Sequence, residues 1–466
     1  MKSLLIFIVA ILAVMSLDAA AQDSLFSSPV NYPVTGSPFA ICLNDFDMDG
    51  DKDIAVANNT GQSLAILLND GHGVFASATY IPGGEQSNSI LSADFDGDQD
   101  FDLAAINLAT NDISVYLNNG NATFADRVNY AAGFFPYGIC GGDIDGDSDY
   151  DLAVANAFTD NVSIYKNNGN GTFQNAVNYA AGVGAYCIYM ADLDNDLDKD
   201  LAVGNMIGTS VSILMNAGNG TFQAPVNYNL SGGPSSITGG DFNCDGDIDL
   251  VVANTSQNTI DIIENQSNGT FQAGNSYSVG LYPVSVIAFY VDTDNYLDLG
   301  ACNAIGNNVT IFCNNQGGSF NNMGDYPTAN GPYSIFAGDI DSDGDLDLVS
   351  ADACSDSISV LFNLVGSSGI DKDNQSTKPY GFTLRQNFPN PFNARTVIGY
   401  ELKESQPIHI GVYDLLGREV EELYDGISSS GVHQFVWDAS ALSSGQYFVR
   451  LQTNAKSSVI RTTLIK

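Results

Sequence analysis

The chain has 466 residues, a formal net charge of −39 at pH 7 and 44% hydrophobic residues. That apolar content excludes an acidic disordered chain, and 54 acids against 15 bases exclude nucleic-acid binding, which needs a basic surface. The length allows two or three domains, and the tail from residue 371 holds ten acids and ten bases, so the acidic excess belongs to the first 370 residues.

The N-terminus reads MKSLLIFIVAILAVMSLDAAAQ. Lys2, an apolar run over residues 4–15 and the small residues Ala19–Ala21 have the form of a secretory signal peptide, so residues 1–21 are expected to be removed. The run is too short to span a bilayer and nothing later is apolar enough, so no transmembrane segment is expected in the mature chain.

Residues 22–364 carry an internal repeat. An acidic nonamer, DFDMDGDKD at Asp45, returns at Asp94, Asp143, Asp192, Asp241, Tyr290 and Asp339, always 49 residues on. In one copy, FADRVNYAAG, PYGICGGDID, YDLAVAN and VSIYKNN read as four short strands separated by Asn/Gly turns. Four strands per 40–50 residues is the pattern of a propeller blade, so seven blades are predicted. Phe26 and Tyr32 stand where Phe124 and Tyr130 stand in their copy, whereas the last copy stops after three strands at Asn363. The first strand is therefore expected to complete the last blade and remove an exposed edge.

Each acidic loop poses an electrostatic question. Two carboxylates about 5 Å apart repel by roughly 3 kcal/mol at an effective dielectric near 20, so a tight turn with several of them needs a cation. Hard oxygen ligands without His fit Ca²⁺. The candidate ligands at loop positions 1, 3, 5, 7 and 9 are Asp45, Asp47, Asp49, Asp51 and Asp53; Asp94, Asp96, Asp98, Asp100 and Asp102; Asp143, Asp145, Asp147, Asp149 and Asp151; Asp192, Asp194, Asp196, Asp198 and Asp200; Asp241, Asn243, Asp245, Asp247 and Asp249; and Asp339, Asp341, Asp343, Asp345 and Asp347. Position 7 can also serve through its backbone carbonyl. Glycine at position 6 (Gly50, Gly246, Gly344) suits the turn, whereas Gln99, Ser148 and Leu197 suit it less. The Tyr290 loop lacks the first acid and is expected to bind weakly or not at all, leaving about six calcium sites.

Two further sets recur. Thirteen residues after each loop start stand Asn58, Asn107, Asn156, Asn205, Asn254, Asn303 and Asp352; six residues before it, Phe39, Tyr137, Tyr186 and Tyr333 are aromatic. Alternating strand directions put both sets on the face opposite the loops, where amides beside aromatic rings could hold a polar ligand such as a sugar. The Asn residues also suit turns for local reasons. The seven cysteines show no metal-type spacing and read mostly as small buried hydrophobes, with one disulfide left open.

The D-x-D-x-D-G-x-x-D loop in a blade-length repeat resembles the FG-GAP/VCBS family, whose propellers include integrin α-subunit heads. The resemblance implies calcium in loops joining the first and second strands of each blade. After a linker at 365–379, residues 380–466 show alternating apolar positions that suit a small Ig-like β-sandwich. QNFPNPFN, YDLLGREV and LSSGQYFVRL resemble the type A sorting domain of the type IX secretion system of Bacteroidetes-type bacteria. That implies periplasmic transit, an encounter with the type IX machinery, and release to the medium or the outer-membrane surface.

The chain is thus expected to be all-β, a seven-bladed propeller followed by a small sandwich. No nucleophile motif, phosphate loop or His cluster appears. A non-catalytic binding or adhesion protein for a glycan or protein ligand is the favoured reading. The alternative is a polysaccharide-acting lyase or glycosidase using paired carboxylates.

Overall fold

The computed structural model describes residues 24–365 except 295, and residues 382–464 except 389–391, 393, 403–404, 414–417, 441, 443–444 and 454–456. The signal peptide expected at 1–21, and all but the first residue of the expected linker, lie outside the described residues. The chain forms two compact units that divide between residues 370 and 371. No described helix is long and apolar enough to cross a membrane.

The first unit is a ring of seven four-stranded antiparallel sheets. Blade 1 runs Pro38–Asn44, Asp53–Asn58, Ser63–Leu67 and Thr79–Pro82 from its first to its fourth strand. Blades 2 to 6 repeat this order, with first strands opening at Ser87, Pro136, Ala185, Pro234 and Pro283. Blade 7 takes Pro332–Gly338, Asp347–Asp352 and Ser357–Leu361 from the end of the repeats and Val30–Pro33 from their start. The closing register pairs Val30 with Val360 and Pro33 with Ser357, and Phe26, 1% exposed, bridges to Asn363.

Second strands such as DIAVAN, DLAVAN and DLVVAN are buried along their whole length. They are apolar on both faces because each lies between neighbouring blades. Ile54 and Val56 of blade 1, for example, share a core with Val349 and Ala351 of blade 7. Polar staples reinforce this packing. The side-chain amide of Asn69 donates to the Ile340 carbonyl at 2.8 Å, and Asn118, Asn167, Asn216, Asn265, Asn314 and Asn363 make the same bond to the blade before them.

In all seven blades, the first strand slips register against the second just after its opening residue. The bulged residues are Phe39, Asn88, Tyr137, Tyr186, Ser235, Val284 and Tyr333. A bulge re-aims one side chain, and here it does so at the same place around the whole ring.

The second unit has a three-stranded sheet (Phe382–Phe388, Arg395–Leu402, Gly431–Asp438) and a four-stranded sheet (Glu419–Ser428, Gln406–Tyr413, Gly445–Thr453, Ser457–Leu464). They share a core of Ile398, Ile410, Val449, Leu451 and Trp437, whose indole donates to Glu421 at 3.0 Å. All seven cysteines are free thiols, so the disulfide left open by the sequence is not formed.

Candidate metal centres and the axial pocket

Each acidic loop joins the first and second strands of its blade. The position-1 carboxylate organises the turn. Asp45 accepts the N–H groups of Asp49 at 3.1 Å and Gly50 at 2.9 Å, and Asp143, Asp192, Asp241 and Asp339 accept the equivalent pairs. The position-9 carboxylate anchors the loop from below. Asp53 accepts N–H groups from Phe46 at 2.9 Å and Asn69 at 2.8 Å, the latter two residues beyond the third strand. Burial nevertheless holds Asp53, Asp102 and Asp347 up at about 7, and Asp151, Asp200, Asp249 and Asp298 at about 6. Protein hydrogen bonds alone do not offset the desolvation of these carboxylates.

Positions 1, 3 and 9 converge. In the sets Asp45/Asp47/Asp53, Asp94/Asp96/Asp102, Asp143/Asp145/Asp151 and Asp192/Asp194/Asp200, one oxygen from each residue lies within 4.8 Å of the others. At position 3, the Oδ1 atoms of Asp47, Asp96, Asp145, Asp194 and Asp341 are buried without a hydrogen-bond partner. A buried, unpaired carboxylate oxygen is costly. Five repetitions at equivalent positions fit a cation held by oxygen donors. The position-5 side chains, including Asp49, Asp98, Asp147, Asp196, Asp245 and Asp343, lie on the exposed side of the loop.

The loops differ among themselves. At position 6, Gly50, Gly246 and Gly344 have φ near +100°, and Gln99, Ser148 and Leu197 are held at +75° to +79° despite their side chains. In blade 3, Lys166 Nζ pairs with Asp145 Oδ2 at 2.9 Å, so a protein cation already faces the position-3 acid. Loop 5 has Asn243 at position 3. In the Tyr290 loop, which lacks the position-1 acid, Asp292 and Asp298 converge with Cys313 instead.

Two sets of sequence candidates are corrected. The position-7 side chains Asp51, Asp100, Asp149 and Asp198 are absent from the four convergent sets, although Asp100 shares with the position-3 acids a buried Oδ1 that has no partner. Asp51, Asp149 and Asp198 instead abut the turn glycines Gly71, Gly169 and Gly218 of their own blades, and Asp247 is bound by Asn195 and Ser267. The second correction concerns Asn58, Asn107, Asn156, Asn205, Asn254 and Asn303, which are 0% exposed and line no ligand face. Their amides donate inside the blade: Asn205 to Ser210 and Ser212 at 3.0 and 2.8 Å, Asn303 to Asn308 and Thr310 at 2.8 and 2.9 Å. They tie the second strand to the third, which is why the residue type recurs.

The aromatic candidates do come together. Phe39, Tyr137, Tyr186 and Tyr333 line one cavity of about 360 Å³ formed by residues of all seven bulges or their neighbours. Tyr137 stacks on Tyr186 with centroids 3.7 Å apart, and Phe39 on Tyr333 at 4.2 Å. Sequence reasoning missed Asn88 and Tyr282, which also line it. Asn88 was recoverable, because it stands six residues before its loop as the four aromatics do. The stapling set from Asn69 to Asn363 was also missed, although it repeats every 49 residues.

A closed ring of seven blades, each with an acidic loop between its first two strands and several of those loops with converging ligand atoms, defines a β-propeller of the acidic-loop class. The FG-GAP-like repeat model matches residues 45–105, 143–203, 192–252, 241–301 and 290–350, together more than half of the chain, which therefore belongs to that family. Residues 386–466 match the secretion system C-terminal sorting domain, which marks the chain for type IX secretion to the cell surface or beyond. No curated protein matches the chain. Among solved structures, it is similar to BBS1N, solved in complex with ARL6DN, at 14% identity and a TM-score of 0.53, covering 73% of this chain and 97% of that one. It is also similar to a putative 6-phosphogluconolactonase from Bacteroides uniformis, at 15% identity and a TM-score of 0.51, covering 64% and 87%. Both likenesses concern the fold alone.

Proposed function

We propose that this is an exported, calcium-binding propeller that captures a glycan or protein ligand outside the cell without transforming it. The signal peptide at 1–21 starts the route through the periplasm, and the sorting domain at 380–466 completes it. Calcium is held by positions 1, 3 and 9 of the loops, with position 5 able to join from the exposed side. The orphaned position-3 oxygens support that assignment. An ion there supplies the positive charge that lets the buried acids ionise together and so stiffens each blade's inner turn.

The observation that carries the binding role is the convergence of the bulged aromatics in one cavity on a rigid, closed scaffold. Aromatic faces with few polar groups are what small-ligand recognition uses. A glycan array probed with the mature protein, with and without EGTA, tests this reading. Calcium-dependent capture of a defined glycan set supports it. Release of reducing ends or unsaturated uronates from polysaccharide would replace it with the enzymatic alternative.

A further inference from the structure

On the face that carries the acidic loops, blade 6 has an apolar hollow. This cavity of about 420 Å³ has the size of a ligand pocket and is walled by Ile287, Phe289, Tyr290, Leu297, Phe336 and Leu346. Tyr290 takes the place of the position-1 acid of loop 6, and Leu297 and Leu346 are the position-8 residues of loops 6 and 7, so the hollow lies beside those two loops. Tyr290 is 47% exposed and Phe336 40%, so both rings are within reach of a ligand. The surroundings lack a positive partner. Between residues 200 and 371 the chain contains no Lys, Arg or His. Loop 6 keeps Asp292, Asp294 and Asp298, and loop 7 carries five aspartates, more than one calcium ion neutralises. Blade 3 shows how a basic side chain serves such a loop: the stem of Lys166 passes over Gly220, and its Nζ stands 2.9 Å from Asp145 Oδ2. The same register in blade 6 holds Cys313, so blade 6 has no such amine of its own.

We propose that the blade 6 hollow is a docking site for an arginine side chain of a partner protein, which lies against Tyr290 and Phe336 while its charge faces the aspartates of loops 6 and 7. A guanidinium is planar and weakly hydrated, so it stacks on aromatic faces at little cost in lost water. Its aliphatic stem covers apolar wall while the charged head stays at the polar rim. An anionic ligand would be repelled by the two loops, and a neutral apolar one would gain nothing from them. The hollow is distinct from the axial pocket, which opens on the opposite face, and the proposal does not depend on what that pocket binds. It takes loop 6 to be without calcium, as its missing position-1 acid implies.

The test titrates the mature protein, in saturating calcium and physiological salt, with the blocked tripeptide Gly-Arg-Gly and its citrulline counterpart by ligand-observed NMR. Citrulline keeps the shape and loses the charge, so it should bind about tenfold more weakly. Tyr290→Phe keeps the ring and should keep the affinity. Tyr290→Leu, and Phe336→Thr, which installs the residue that blade 5 carries as Thr238, should each weaken the arginine peptide about fivefold at an unchanged melting temperature. None of these substitutions alters the net charge, so a general attraction to the acidic loops would survive them all. Equal binding of the two peptides, or arginine binding that persists undiminished in both Tyr290→Leu and Phe336→Thr, would overturn the proposal. Loss of the arginine peptide on adding calcium would also overturn it, by making loop 6 a metal site. Glycan capture by the axial pocket should be the same in all these variants, so either site can fail without the other.

Discussion

Asp352 is the one acid at a position where the other six blades carry asparagine, and replacing it with asparagine makes a quantitative test of the packing logic. It is 0% exposed; Ser359 donates to its Oδ2 at 2.5 Å and Ser350 to its Oδ1 at 2.9 Å. Ser359 Oγ also sits 2.8 Å from Asn31 Oδ1, yet a hydroxyl has one proton to give. If Asp352 carries a proton, it donates to Ser359, which then donates to Asn31. This relay has the form of Asn205 to Ser212 to Asn227 in blade 4. Burial accordingly pushes Asp352 from 3.8 up to about 7. A folded-state value above the unfolded one means that the native state holds the proton more tightly. Its contribution is complete below about pH 4, is lost as the pH rises through about 7, and stays lost above. Three units correspond to about 4 kcal/mol, an upper bound because local relaxation lowers it. Asp352→Asn supplies a permanent donor, so it should be more stable than wild type at pH 8 by up to that amount, and by only about 1 kcal/mol at pH 4.5. Denaturant unfolding of both proteins at the two pH values measures the difference and cancels the other carboxylates. A difference at pH 4.5 as large as that at pH 8, or a variant less stable than wild type at pH 8, would refute the protonated relay.

Three other outcomes are expected. A chain starting at Gly36 loses Phe26 and the Val30–Pro33 strand, so it should melt lower and self-associate through the exposed edge of blade 7; an unchanged monomeric melt would count against the closure. Leu197→Gly relieves a left-handed residue that is 88% exposed and should stabilise by about 1 kcal/mol in thermal melts, and a lower melting temperature would show that the side chain is needed. Lys166→Met copies blade 4's Met215 and frees Asp145, so calorimetry should show one calcium site tightened, whereas an identical isotherm would mean that the ion pair does not compete with the metal.

Much of this is legible in the sequence. A strict 49-residue register fixes the blade count, and a first strand without a partner predicts the closure found between Val30–Pro33 and Ser357–Leu361. The acids were legible as a group, but not their division of labour. Position 9 reaches backbone N–H groups from the loop and from a residue 16 positions on, beyond the third strand, and position 7 turns to a glycine in another hairpin; both are tertiary facts. Asn58 and its equivalents misled because asparagine suits a turn and a strand-to-strand amide bond equally well. The bulge left no trace in alternation, since first strands such as PYGICGG and PSSITGG are too rich in small residues to show a slipped register. Asn88 shares the register of the four aromatics but not their chemistry, so only the bulge places it among them.

On the function proposed above, calcium in the acidic loops holds the ring together. Calorimetric titration of decalcified mature protein measures whether it does. About six equivalents of calcium should bind, the Tyr290 loop contributing weakly, and Asp47→Ala should remove one. Each site adds about 2.7 kcal/mol at a hundredfold excess over its Kd, so chelation should lower the melting temperature. A stoichiometry near zero, with a melting temperature indifferent to EGTA, would mean that the acidic loops are not calcium sites.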